Sequence, residues 1–211
     1  MRAGMLAVVG AVLVILPCTP GVASASSACP GDERIPTPIT SPDAARALVC
    51  DINVIRGRHD LAPLRWNDTV ARPAQAFAQE LAARRLISHD SADGETPKDR
   101  VFATGYFDGF PSWLVLENVD WGSYAYATPL ATAVGWMQST EHRLNLLDPQ
   151  AQDIGVGISQ GDLDGRTGSG TFYVADFAAR GTFVRTAKKR RACTTRKRHG
   201  VRRKRCRRRA G

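Results

Sequence analysis

The stretch "DIGVGISQGDLDGRTGSGTFYVADF", Asp153–Phe177, decides the fold class of this 211-residue chain. Within it, IGVGI (154–158) and TFYVADF (171–177) are short runs of β-branched and aromatic residues, the composition of strands. The linking SQGDLDGRTGSG is rich in Gly, Asp and Ser, which is turn chemistry, so the whole reads as a hairpin. Asp162 and Asp164 in the link suggest calcium, but the full calcium-loop spacing is missing and a plain turn is the reading.

Upstream the period changes. In "TSPDAARALVCDINVIRGRHD", Ser41 and Pro42 suit the start of a helix, and Ala45, Leu48, Val49, Ile52 and Ile55 recur at helical spacing as far as His59. A second helix is capped by Asn67 or Asp68 and runs through Leu86, with Val70, Ala74, Phe77, Ala78 and Leu81 on one face. Pro73 sits too deep for a first turn and predicts a late start or a bend. Thr96-Pro97 opens a short helix stopped by Gly105, and Thr128-Pro129 opens another. "WLVLENVDW" has a strand-like core after an aromatic-rich loop at 107–113. Helices first and paired strands late predict an α+β domain whose helices cover an antiparallel sheet.

The ends of the chain are different in kind. Arg2, the apolar run "MLAVVGAVLVIL" and small residues at Ala23 and Ala25 have the form of a signal peptide spanning 1–25, and so predict export. Residues 26–40 are an irregular lead-in, 41–183 the domain, and 184–211 a basic tail. Without the signal peptide four cysteines remain: Cys29, Cys50, Cys193 and Cys206. In an exported chain an even count implies disulfides. Three pairings are open; the expectation is the local one, Cys29 with Cys50 and Cys193 with Cys206.

The formal net charge of +9 conceals an asymmetry. Fourteen of the 29 Lys and Arg fall between Lys188 and Arg209. With Arg2 removed, fourteen others face twenty acidic residues, so the mature body is near −6 and the tail near +14. So dense a run, nearly free of apolar residues, predicts a disordered tail. In an exported protein its partners are anionic envelope polymers, lipid head groups or extracellular nucleic acid.

Three histidines lie in the body. His59 ends the first helix, where a cation suits the helix dipole. His89 lies in "LISHDS", and His142 in "WMQSTEHRLNLLDP" (136–149) at what reads as a helix end. Glu117 stands among apolar neighbours, where a carboxylate needs a partner. Two His and one Glu form a ligand set for a divalent metal such as zinc with one position open. The competing reading is that each residue only satisfies nearby backbone groups.

Seven pieces occur in order: "NVIRGRHDLAPLRW", "LISHDS", "DRVFATGY", "LENVDW", "WMQSTEHRLNLLDP", "DIGVGI" and "FYVADF". Together, over about residues 46–179, they resemble the CAP superfamily (cysteine-rich secretory proteins, antigen 5 and pathogenesis-related proteins), in its bacterial secreted branch. The resemblance implies a three-layer α-β-α sandwich with a central antiparallel sheet and a cleft. It places His89, Glu117, Ser139 and His142 in that cleft, with His89, His142 and Glu117 as metal ligands. Leu116 departs from the Gly usual before the Glu, and Ser139 stands where many eukaryotic relatives carry Glu. With Ser139 in that place, three ligands remain rather than four. Ser139, three residues before His142, shares its helix face, while Glu141 points to solvent. The functional expectation is an extracellular or envelope-associated binding module with an unidentified cleft ligand. The alternative is a metal-dependent hydrolase using His89, His142 and Glu117, so the enzyme question stays open.

Overall fold

The computed structural model describes residues 29–39, 41–163, 169–181, 192–198 and 201–207. The expected signal peptide and Asp164 lie outside the described residues. Among those described, no helix is long and apolar enough to cross a membrane.

The elements follow in the order α1 (Ser41–Gly57), β1 (Arg65–Trp66), α2 (Asp68–Arg84), α3 (Pro97–Phe102), β2 (Ser112–Ser123), a 3-10 turn (Tyr124–Ala127), α4 (Pro129–Gln138), α5 (Thr140–Leu146), β3 (Asp153–Gly161) and β4 (Gly170–Gly181). The sheet order is β1-β3-β4-β2. β3, β4 and β2 are antiparallel neighbours, whereas two-residue β1 runs parallel to β3, so the sheet is mixed rather than purely antiparallel.

Side-chain alternation along the strands builds three layers. Tyr173, Ala175, Phe177 and Ala179 of β4, with Ile154, Val156 and Ile158 of β3, meet Leu48 and Ile52 of α1, Ala133 and Trp136 of α4 and Leu146 of α5. The opposite face carries Phe172 and Val174 of β4 and Val119 of β2 against Ala74, Phe77, Ala78 and Leu81 of α2. The glycines of IGVGI explain how tightly α2 sits. A Cβ on Gly155 would come within 2.2 Å of the Ala71 backbone, and one on Gly157 within 2.2 Å of the Ala74 backbone. Only glycine admits so close a helix.

Local chemistry sets most helix ends. Asn67 caps α2 by accepting from the Thr69 and Val70 amides, so the helix starts at Asp68 and not late, despite Pro73 inside it. Thr96 and Asp99 cap α3 reciprocally. Thr128 accepts from the Ala131 amide ahead of Pro129. Ser41 behaves otherwise than expected: its hydroxyl donates to the Thr37 carbonyl at 2.8 Å, tying the lead-in to α1. Cys29 and Cys50 form the expected disulfide across a sequence separation of 21. The Leu130 amide also donates to the Asp32 carbonyl at 2.9 Å, so the lead-in is fastened at both α1 and α4.

The tail departs from the expected disorder. Ala192–Arg198 and Val201–Arg207 pair as an antiparallel hairpin, with Cys193 and Cys206 opposite each other in register. Strand-forming Thr194, Thr195 and Val201 favour this, a signal that the charge run hid.

Candidate functional site: a histidine cleft at the edge of the sheet

β2 is the outer strand, and the site is built across it. Glu117 lies on the α2–α3 face and is all but inaccessible, its side chain 1% exposed. Its register partner on β4 is Asp176. Such burial needs a counter-ion, and Arg100 of α3 supplies it: Nη2 donates to Glu117 Oε2 at 2.7 Å. Arg100 is itself fixed. Nη1 donates to the Ser91 hydroxyl and to the Glu95 and His89 carbonyls, and the guanidinium lies 3.6 Å from the centroid of the Phe77 ring.

The other Glu117 oxygen is also taken. His89 Nδ1 donates to Oε1 at 2.7 Å, which assigns the Nδ1–H tautomer because a carboxylate only accepts. The His89 side chain remains 56% exposed and has Nε2 left to meet solvent or a ligand. The bond to Glu117 raises the His89 pKa above its ordinary value, outweighing partial burial.

His142 lies on α5, which is bonded along the outer edge of β2 and is near enough to His89 to feel its charge. Asn145 Nδ2 donates to the Glu117 backbone carbonyl at 3.0 Å and to Asn118 Oδ1 at 2.9 Å. Asn118 Nδ2 returns a bond to the His142 carbonyl at 3.1 Å. The expected single helix is broken here. Ser139 adopts an extended conformation (φ −81°, ψ 129°) and joins α4 to α5, making no capping bond with its side chain. Arg143 accounts for the break, its Nη1 reaching back 2.8 Å to the Met137 carbonyl of α4. Ser139 is therefore the N-cap of α5 and His142 the third residue of that helix. Glu141 is exposed, as expected. Buried Trp136 lies behind His142, with ring centroids 6.3 Å apart. Desolvation, then the nearby charge of His89, lowers the His142 pKa below its ordinary value.

The expected metal trio does not preassemble. Among the described residues, the His/Cys/Asp/Glu group whose ligand atoms all lie within 4.8 Å of one another is Cys29, Asp32 and Asp51, where the sulfur is already in the disulfide. His89, Glu117 and His142 do not form such a group, and both Glu117 oxygens are engaged by cationic or donor partners. These residues do not fit a three-ligand zinc site as they stand. His59 is exposed at the end of α1, away from this constellation.

Two residues of the site carried no sequence signal. Arg100 sits in an ordinary amphipathic turn, and only the fold brings it to Glu117. Asp176 is fully buried behind Glu117, and neither oxygen has a hydrogen-bond partner among the described residues. Burial first, then the charge of Glu117, raises its pKa well above the usual carboxylate range. Elsewhere, two grooves of about 340 and 410 Å³ lie beside α2 and are lined from α1, α2 and β3, with no histidine among their walls.

Comparison with known proteins agrees with this architecture. The model of the "CAP: Cysteine-rich secretory protein family" matches residues 50–177. The chain is 32% identical over 108 residues to YlbC, an uncharacterized membrane protein of Bacillus subtilis, covering 51% of this chain and 29% of that one. It is 28% identical over 138 residues to YkwD of the same organism, covering 64% and 51%. It thus spans about half or less of the length of these curated relatives. An extracellular SCP-domain protein of Bacillus anthracis superposes with TM-score 0.51 at 29% identity, over 67% of this chain and 43% of that one. An outer surface protein of Borrelia burgdorferi shares the fold, with TM-score 0.50 at 23% identity, over 63% and 90%. With a family match over most of the body and the same α-β-α layers, the chain belongs to the cysteine-rich secretory protein (CAP) family, in its bacterial SCP-like branch.

Proposed function

We propose that the domain is an exported, envelope-associated or extracellular binding module whose cleft captures a polar, anionic group. The observation that carries this reading is the saturation of Glu117, with Arg100 on one oxygen and His89 on the other, each at 2.7 Å. A carboxylate held in this way is a poor general base and a poor metal ligand, which counts against the hydrolase alternative. The same arrangement favours a protonated His89 that presents Nε2–H outward, a charge-assisted donor for a carboxylate, phosphate or sulfate. Export rests on the signal-peptide pattern. The occurrence of a similar domain in an extracellular Bacillus anthracis protein supports it. The basic tail, with its fourteen Lys and Arg, adds attraction to polyanions at the envelope.

Calorimetry with small anions and, separately, with zinc tests the reading. Anion binding should strengthen as pH falls through the His89 titration and vanish in His89→Ala. Tight zinc binding at neutral pH, lost in His142→Ala or Glu117→Gln, would replace this reading with the metal one.

A further inference from the structure

The far end of the α2–α3 face carries an aromatic surface unrelated to the cleft. Phe102, Phe110 and Trp113 are about two-fifths exposed, at 40%, 42% and 42%. They are not scattered. Phe102 packs on Phe107 and Trp113 at centroid distances of 4.6 and 5.0 Å, and Phe107 stands on buried Tyr106 at 4.8 Å. Arg180 covers the other side, 4.3 Å from the Tyr106 centroid and 4.8 Å from that of Phe110. Scattered apolar residues need no explanation, but a braced and contiguous set beside a cation does.

The position of this set in the chain suggests its partner. Trp113 pairs with Arg180, and Ser112 with Gly181, so β4 ends at the patch. The basic run begins at Lys188, seven residues beyond Gly181 and at most about 25 Å from it. Aromatic rings suit the interface between lipid head groups and acyl chains, and basic residues suit anionic head groups. Each signal alone gives weak attachment, and two together hold. Asp108, exposed on the same loop, is a carboxylate that opposes approach to an anionic surface, against fourteen basic residues and Arg180.

We infer that Phe102, Phe110, Trp113 and Arg180 form a membrane-docking face, seated on an anionic lipid bilayer with the basic tail as its second anchor. The inference rests in part on the tail reading proposed above. The mature full-length protein is the sample. The probes are vesicles of phosphatidylglycerol with phosphatidylcholine, vesicles of phosphatidylcholine alone, and soluble polyphosphate, a polyanion without an apolar interior. The double variant Phe110→Ser, Trp113→Ser should bind anionic vesicles at least about tenfold more weakly than the parent, yet bind polyphosphate equally. Brominated acyl chains should quench the parent's tryptophan emission, and Trp113→Phe should lose that quenching, which reports insertion even if the double variant folds poorly. Equal vesicle binding by parent and variants, without quenching, overturns the docking face. If a chain ending at Phe183 then loses binding, the tail reading survives alone. If the parent binds neither vesicles nor polyphosphate, both readings fall. Binding to polyphosphate but not to anionic vesicles assigns the tail to a soluble polymer and also overturns the docking face.

Discussion

The two histidines of the site are the same residue type carried on different elements beside β2, and the fold shifts their pKa values in opposite directions. His89 is half exposed yet raised in pKa, because a buried carboxylate holds its Nδ1. His142 is lowered, because partial burial disfavours its charged form and a charge on His89 would disfavour a second one. The difference lies in what stands behind each ring. His89 is backed by an ion pair in which Arg100 and Glu117 are 7% and 1% exposed. His142 is backed by Trp136 and an amide network through Asn118 and Asn145. Two titratable groups driven apart in this way change charge in separate steps.

The largest expected effect comes from breaking the His89 side. Glu117→Ala leaves Arg100 buried and unpaired, which should cost about 3–5 kcal/mol by denaturant unfolding. Glu117→Gln keeps the shape and should cost less, while returning the His89 pKa toward its ordinary value. A loss under about 1 kcal/mol for Glu117→Ala would mean that water replaces the pair, and that the corner is not the dry ion pair described.

Breaking the His142 side should cost less and leave His89 alone. Asn145→Ala removes two hydrogen bonds that hold α5 to β2, an expected loss of about 1–3 kcal/mol. Chemical shifts of His142 should move while the His89 titration stays. Movement of both would mean that the two sides are coupled through the strand rather than independent.

How much of this was legible in the sequence differs by region. The helix starts were readable because Asn67, Thr96-Pro97 and Thr128-Pro129 act locally. His89, Glu117 and His142 were readable through their resemblance to a family pattern. The break at Ser139 was not, since neither Gly nor Pro marks it and a side chain four residues on, Arg143, stabilises it. Arg100 and Asp176 were invisible because a charge looks solvated until the sheet register sets it against Glu117. The pairing of the two tail strands was missed because a dense basic run carries no apolar period to read.

A smaller effect is the pH dependence of stability. The folded-state pKa of His89 is raised, so its contribution is fully present below its unfolded value, near 6.5, and is lost as pH rises through the folded one. In His89→Ala that part of the pH profile should flatten. The smallest effect is at Glu141. Being exposed, it should tolerate Glu141→Ala within about 0.5 kcal/mol, with the His142 titration moving slightly lower because the Glu141 charge raises it, and with His89 unchanged.

The most direct test of the central claim is an NMR titration of the two imidazoles in the mature protein, with His89→Ala and His142→Ala fixing the assignments. The account predicts that His89 titrates above about 6.5 and His142 below it, with the His142 value rising toward normal when His89 is removed. Equal values, or His142 titrating above His89, would contradict it.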